Sequence, residues 1–185
     1  MKRTFVLKLL MTNKYKINEK QKARIWKWLQ NNTIANRGKF DGTKENQLLG
    51  LIGEFEVHNY LLGYYPEFKK GFDGGIDIVY KGKTIDVKTM GRNVDIKMEY
   101  INNFYSCQLK YDCDFLIFAS INKQDNTFQI CGWIEKKNLE RKSIFYEKGE
   151  TRYRENGTYF KFKADNYEIY NYNLIDMKYL DEINK

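Results

Sequence analysis

Two aspartates and one lysine stand inside a segment that otherwise has the composition of a β-hairpin. In GGIDIVYKGKTIDVKT (74–89), Asp77 and Asp86 lie among isoleucines and valines, and Lys88 follows two residues after Asp86. Proteins bind hard cations such as Mg²⁺ with one or two carboxylates together with phosphate oxygens of a substrate. A metal site that also needs a positive charge beside the metal-bound water would use all three side chains.

The register of the hairpin predicts that the three charges share one face. A two-residue turn at 81–82 pairs Ile78 with Ile85 and Asp77 with Asp86. The first face is then apolar away from the turn. The second face holds Asp77, Val79, Thr84, Asp86 and Lys88. Carboxylates directly opposite each other lie about 5 Å apart and repel by roughly 3 kcal/mol at an effective dielectric of about 20. A divalent cation bound by both carboxylates would remove this repulsion. The alternative to a metal site is a solvated hairpin face with an Asp–Lys pair.

A glutamate in an unusually apolar helix extends the set. Glu54 lies in LLGLIGEFEVHNYLL (48–62), where a carboxylate is costly unless it is paired or metal-bound. Glu56 is nearly opposite on the helical wheel and can be solvated, so Glu54 is the better candidate, with a partly exposed helix edge as its alternative. Gly50 and Gly53 would let a sheet or a phosphate backbone come close. We expect His58 to be an ordinary histidine at the edge of the core.

The elements that must position these residues mix helices and strands, which predicts an α/β or α+β fold. Helices are expected at 17–32, from the N-cap Thr43 to Gly63, and at 135–142. Strands are expected at 113–121 and 127–134, followed by a β-rich stretch over 143–172. The remaining expectations are a loop at 36–43, a turn at 89–95, a helix at 97–110 (with strand left open) and a closing helix at 173–183.

Size and charge limit the classes of protein that need considering. The chain has 185 residues, of which 42% are apolar and 30% charged, and this fits one globular domain. The net charge of +8 suits a polyanionic partner such as nucleic acid, although lysine-rich composition also serves solubility. There is no membrane-length apolar run. Lys8 interrupts the apolar start, so we expect no signal peptide.

The three cysteines, Cys107, Cys113 and Cys131, are odd in number and have no CxxC spacing. We expect buried thiols in a reducing cytoplasm, not a zinc site or a disulfide framework. Because His58 is the single histidine, a Ser-His-Asp or Cys-His site would have to use it, and nothing nearby supports such a site.

The order of these residues resembles that of the PD-(D/E)XK nuclease superfamily. A helical acidic residue (Glu54) precedes a strand aspartate (Asp77), and Asp86-Val87-Lys88 on the next strand gives the Asp/Glu-x-Lys motif, within positions 44–90. Ile76 stands where the family name has proline. The likeness suggests a restriction-endonuclease-like or Holliday-junction-resolvase-like protein, of the kind that phages and mobile elements encode.

The resemblance implies one nuclease domain over 1–185, with an αβββαβ core whose central mixed sheet is flanked by helices. The core would occupy 43–135, between an N-terminal helical extension (1–42) and a β-rich C-terminal extension (136–185). It further implies a cytoplasmic, Mg²⁺-dependent DNA endonuclease in which Mn²⁺ can substitute. A homodimer would suit the cutting of two strands.

The resemblance also implies a role for each site residue. Asp77, Asp86 and the carbonyl of Val87 would hold Mg²⁺, and Glu54 would bind a second metal or support the first. Lys88 would orient the attacking water and stabilise charge on the phosphate. Some relatives have a glutamine downstream, for which Gln108 is the candidate here. Further candidate contacts to DNA are Arg92, Arg152 and Arg154.

Two other functions remain open at this point. A catalytically inactive nucleic-acid-binding protein on a nuclease-like fold would have the same charge, and an interaction module without nucleic acid would match the motif by chance. The stretch 141–163 interleaves basic and aromatic residues, which suits phosphates and unpaired bases. For most of its aromatics we expect core packing instead. The basic residues of the helix at 17–32 are expected to form a solvated face.

Overall fold

The chain folds as a mixed α/β structure in which a curled mixed sheet is covered by helices on one face and by a smaller sheet on the other. The computed structural model describes residues 12, 14–32, 34, 42–69, 74–154 and 157–182. The expected loop at 36–43 falls almost entirely outside the described residues, and so does the N-terminal stretch considered as a leader. No helix in the described ranges is long and apolar enough to cross a membrane.

The elements follow one another along the described chain as helices, strands and short 3₁₀ turns. The helices are α1 (Glu19–Asn31), α2 (Lys44–Leu62) and α3 (Leu139–Lys142). The strands are β1 (Tyr15–Lys16), β2 (Ile78–Tyr80), β3 (Lys83–Arg92), β4 (Ile101–Tyr105), β5 (Phe115–Asn122), β6 (Thr127–Glu135), β7 (Ile144–Tyr146), β8 (Thr151–Tyr153), β9 (Tyr159–Lys161) and β10 (Asn166–Tyr170). The 3₁₀ segments are Ser106–Gln108, Lys136–Asn138, Asn171–Asn173 and Met177–Glu182.

The central sheet has the strand order β1-β6-β5-β3-β2, with β3 and β5 parallel and the other neighbours antiparallel. Strand β5 is buried along almost its whole length because both of its faces are covered. Ile117 packs into the cluster formed with α1 and α2, whereas Leu116 and Phe118 pack toward β4 and β10. The strands expected at 113–121 and 127–134 are confirmed as β5 and β6.

Both long helices form where the sequence predicts, with α1 shorter than the expected 17–32 and α2 between the expected Thr43 cap and Gly63. The side chain of Asn18 accepts hydrogen bonds from the first turn of α1, and Ile25 and Leu29 bury its apolar side. Thr43 caps α2 through the N–H of Asn46. Gly63 ends α2 in the left-handed region, at φ 80°, which glycine adopts without steric cost.

The prediction that favoured a helix at 97–110 is wrong. The segment forms β4 and a 3₁₀ turn, and β4 pairs antiparallel with β10 in a second sheet of order β4-β10-β7. Asn102 and Phe104 point inward on alternate positions, and the Asn102 amide donates to Asn171 Oδ1 at 2.7 Å. Pairing with a strand more than sixty residues away decides this segment, and local periodicity does not reveal it.

Two further boundaries differ from expectation. Strand β3 continues to Arg92, through most of the stretch predicted to turn at 89–95, because β5 pairs with it in parallel along that whole length. The closing segment forms a 3₁₀ helix at Met177–Glu182 in place of an α-helix. The expected divisions at 42 and 135 are bridged by sheet pairing, since β1 pairs with β6 and β4 pairs with β10.

Candidate active site

The hairpin of β2 and β3 has the predicted turn and register. Lys81 and Gly82 both have positive φ, at 50° and 75°, as a two-residue turn that follows the strand twist requires. The pairs Ile78↔Ile85, Val79↔Thr84 and Tyr80↔Lys83 are those expected. The apolar face is also confirmed, because Ile78, Ile85 and Val87 are all buried against α2.

The predicted cross-strand pair of Asp77 and Asp86 is wrong, because the ladder ends one residue earlier at Ile78↔Ile85. The N–H of Asp77 donates to the carbonyl of Ile85 at 2.9 Å. Its carboxylate Oδ2 accepts the N–H of Val87 at 2.6 Å. Asp77 therefore binds the edge of β3 where β2 stops. The N–H and C=O of one strand residue point to the same side, so the Val87 carbonyl faces the edge that Asp77 occupies.

Asp86 and Lys88 form a buried ion pair. Lys88 Nζ lies 2.5 Å from Asp86 Oδ1, and their side chains are 20% and 7% exposed. Val79, predicted for the same face, is 61% exposed. The alternative of a solvated hairpin face therefore holds near the turn but is wrong at the Asp–Lys pair. Such burial is costly for ions unless geometry and partners offset it.

Several groups set the environment of the Lys88 ammonium. Burial by itself lowers the pKa of Lys88, but the carboxylates of Asp86, Asp77 and Glu54 outweigh it, so the pKa lies above its ordinary value. All four predicted catalytic side chains thus share one electrostatic environment. The ring of Phe104 on β4 lies 5.7 Å from Nζ. Sequence reasoning missed Phe104, because β4 was expected to be helical.

Glu54 reaches this cluster from α2, which lies unusually close to β3. A Cβ built at Gly53 would lie 1.7 Å from Thr89 Oγ1, so only glycine permits this approach. A Cβ at Gly50 would meet no atom within 4 Å. The expectation of a close approach is therefore confirmed at Gly53, against the sheet, and not at Gly50.

Glu54 and Asp77 line a cleft of about 280 Å³ at this edge. Its walls include the aromatic rings of Trp28, Phe55, His58, Tyr64 and Phe68. His58 is half-buried there, and its Nδ1 donates to the Tyr64 carbonyl at 2.8 Å. This is the core-edge histidine that we expect. The cleft gives the acidic edge of the cluster a route to solvent.

Glu56 is buried, at 2% exposure, where the helical wheel predicted a solvated residue. The hydroxyls of Tyr15 and Tyr65 donate to its carboxylate at 3.2 and 3.3 Å. Burial raises the pKa of Glu56 above its usual value, against these hydrogen bonds. The signal that was missed is the apolar character of α2 on all its sides, which is typical of a helix covered all round.

The donor chemistry of the site fits a hard cation held in part by its substrate. In the ranges that the structure describes, no three His, Cys, Asp or Glu side chains are grouped as a self-sufficient metal site would need. Asp77, Asp86 and the Val87 carbonyl are oxygen donors, and Mg²⁺ is typically bound by one or two carboxylates plus phosphate and water. All three cysteines are free. Cys131 is buried as expected, but Cys107 is exposed.

The predicted contacts to DNA lie in different surroundings. Arg92 donates to the carbonyl of Ile101, and burial lowers the pKa of its guanidinium. Arg152 Nε lies 2.6 Å from Oε2 of the fully buried Glu168. Gln108 ends a 3₁₀ turn and is half-buried. Of the three arginines, Arg154 has an exposed side chain.

Comparison of the sequence with protein family models, of the sequence with curated proteins, and of the fold with solved structures gave no match. Function therefore has to be argued from the side chains at the site.

Proposed function

We propose that the protein is a Mg²⁺-dependent endonuclease that hydrolyses phosphodiester bonds in DNA. The proposal rests on the buried Asp86–Lys88 pair, with Asp77 and Glu54 close enough to raise the pKa of the same ammonium. A net charge of +8 would draw a polyanionic substrate to the protein.

The order of the elements supports a restriction-endonuclease-like core. Helix α2 carries Glu54, the β2–β3 hairpin carries Asp77 and Asp86-Val87-Lys88, and β5 runs parallel to β3. In two respects the chain departs from that core. Strand β4 joins the smaller sheet, and the 3₁₀ turn at Ser106–Gln108 stands where the core has its second helix.

Each residue would have a distinct role in hydrolysis. Asp77, Asp86 and the Val87 carbonyl would hold Mg²⁺, with Glu54 supporting them or holding a second ion. When bound, the ion lowers the pKa of a coordinated water and offsets charge on the phosphate. The carboxylates of Asp86, Asp77 and Glu54 raise the pKa of Lys88 in the metal-free protein. As an ammonium group, Lys88 would donate to the water or to the phosphate oxygens.

A cleavage assay with a matched lysine control tests this proposal. Supercoiled, linear, branched and single-stranded DNA are each incubated with Mg²⁺, Mn²⁺ or a chelator. We expect metal-dependent cleavage that Lys88→Ala lowers by about 10²–10³-fold, the usual loss when one transition-state donor is removed. Lys83→Ala changes a lysine of the same strand that pairs with Asp114 outside the cluster, and it should retain activity.

Three outcomes would count against the proposal. If every substrate remains intact with both metals, the endonuclease assignment fails. If Lys88→Ala and Lys83→Ala cleave equally well, the site lies elsewhere. If the protein binds DNA with a steep salt dependence but never cleaves it, the inactive nucleic-acid-binding alternative is correct. Thermal unfolding of each variant shows that loss of activity is not loss of fold.

A further inference from the structure

Strands β8 and β9 form a two-stranded hairpin that pairs with no other strand of the described chain. Its register is Thr151↔Lys161, Arg152↔Phe160 and Tyr153↔Tyr159. Because opposed residues share a face and successive residues alternate, Tyr153, Tyr159 and Lys161 lie on one face, which we call the outer face. Arg152 and Phe160 lie on the other, inner face.

The inner face fixes the hairpin to the rest of the protein. Arg152 pairs with Glu168 of β10, whose side chain is fully buried. Just after β9, Phe162 is buried and stacks on Tyr146 with ring centroids 4.6 Å apart. A lone hairpin is marginally stable in water, so these contacts hold it in place. Arg152, predicted as a contact to DNA, would then position the hairpin without touching a ligand.

The outer face leaves two large aromatic side chains in water. Tyr153 is 73% exposed and Tyr159 is 65% exposed. Their ring centroids are 5.9 Å apart. The expectation that most aromatics of this stretch pack in the core is therefore wrong, because Phe145 is exposed as well and, of those that the structure describes, Phe162 is the one that is buried. Large tyrosines left exposed as a pair are typical of surfaces that bind a partner.

The charges around the pair indicate the chemistry of that partner. The side chain of Lys161 is exposed on the outer face beside the tyrosines. Arg154 lies toward the inner face, where its guanidinium is 5.0 Å from the centre of the Phe160 ring. Residues 147–163 contain five basic and three acidic side chains. Exposed aromatic rings beside a cation, in a segment of net positive charge, are an arrangement that binds single-stranded nucleic acid, since every base has a flat face to stack.

We propose that the outer face binds an unpaired segment of DNA. Tyr153 and Tyr159 stack on bases, and Lys161 contacts a flanking phosphate. A duplex does not suit this face, because its bases are already stacked on each other. A second copy of this chain suits it less, because like charges on a protein of net charge +8 repel. The inference deepens the proposed function by assigning the nuclease a substrate with an unpaired stretch.

Binding measured without catalysis separates this inference from the nuclease assignment. Fluorescence anisotropy with a labelled oligothymidine and with a duplex of equal length is recorded in a chelator. We expect the full-length protein to prefer the single strand. The Tyr153→Ala/Tyr159→Ala variant should bind it about 10-fold or more weakly, because base stacking on an aromatic ring contributes a large part of such binding. Tyr153→Phe/Tyr159→Phe should bind like the wild type, because stacking does not need the hydroxyl.

Two controls make the result specific. Tyr172→Ala/Tyr179→Ala removes two exposed tyrosines outside the hairpin and should leave binding unchanged. Lys161→Ala should flatten the slope of log affinity against log salt by about 0.7, which corresponds to one phosphate contact on a single strand.

The inference is overturned if the Tyr153→Ala/Tyr159→Ala variant binds the single strand within about twofold of the wild type. It is also overturned if light scattering shows a wild-type dimer that this variant dissociates while DNA binding is unchanged, since the face is then a contact between copies. If the wild type cleaves nothing but shows tyrosine-dependent binding, the nuclease assignment fails and this inference stands.

Discussion

Replacement of Gly53 by alanine tests whether the close approach of α2 to β3 holds Glu54 beside Lys88. The added Cβ would lie 1.7 Å from Thr89 Oγ1, 2.7 Å from Thr89 Cβ and 2.9 Å from Thr89 Cγ2. Rotation of the threonine moves Oγ1 and Cγ2, but the backbone fixes its Cβ. Real Cβ contacts almost never fall below 3.0 Å. The helix must therefore retreat by about 0.3 Å if the threonine rotates and about 1.3 Å if it does not, the differences from 3.0 Å.

Gly50 supplies the matched control, since it lies one turn earlier in α2 and a Cβ there meets nothing within 4 Å. Both substitutions gain helix propensity, about 1 kcal/mol each, and this gain cancels in the comparison. Overpacking a filled interface costs about 1–3 kcal/mol. We therefore expect Gly53→Ala to be less stable than Gly50→Ala by about 1–3 kcal/mol.

Urea unfolding followed by tryptophan fluorescence measures the two free energies of unfolding, and DNA cleavage is assayed beside it. A displaced α2 moves Glu54 away from Lys88, so Gly53→Ala should also lose more activity than Gly50→Ala. The reasoning is refuted if Gly53→Ala is as stable as Gly50→Ala, because the interface between α2 and β3 then accommodates a Cβ without cost.

Two predictions concern buried charges away from the site. Burial raises the pKa of the Glu56 carboxyl group above its usual 4.5. The folded protein therefore binds the carboxyl proton more tightly than the unfolded chain does. As a result, the free energy of unfolding falls as the pH rises above 4.5. Glu56→Gln should lose this component, seen as a smaller fall in Tm between about pH 4 and pH 7 than in the wild type; an identical fall contradicts the assignment. Arg152→Ala removes the hydrogen-bonded ion partner of the buried Glu168 and should cost about 3 kcal/mol in urea unfolding. Lys161→Ala, at an exposed position of the same hairpin, should change stability by less than about 0.5 kcal/mol, and equal effects would refute the anchoring role.

Local rules account for the parts of this fold that sequence reasoning predicted. The cap at Thr43, the stop at Gly63 and the turn at Lys81–Gly82 each depend on residues within a few positions of each other. The proximity of Glu54 to the hairpin followed from the order of motif residues. The physical cause is the contact of Gly53 with Thr89. The sequence indicated two glycines that could allow a close approach, but not which of them makes it.

Two of the failures have a different cause, since each depends at least in part on a residue distant in sequence. Strand β4 exists because β10 pairs with it, and Glu56 is buried because Tyr15 and Tyr65 close over it. Asp77 does not lie opposite Asp86 as predicted, because its carboxylate accepts the Val87 N–H at the end of a short strand. A hydrophobic pattern reports which face is apolar, but it does not report which polar residue the tertiary fold will cover.

The Asp86–Lys88 pair is not explained by stability. In the parallel register Asp86 lies beside Leu116 and Lys88 beside Phe118, so apolar side chains at both positions would extend a face that is already apolar. Apolar replacement of a buried ion pair is often neutral or stabilising, by about 1–4 kcal/mol. We therefore expect the Asp86→Leu/Lys88→Met protein to unfold at the same or higher urea concentration than the wild type, yet to have no cleavage activity. A large loss of stability would instead mean that the pair holds the sheet together, and the chain would then have a structural reason to keep two buried charges.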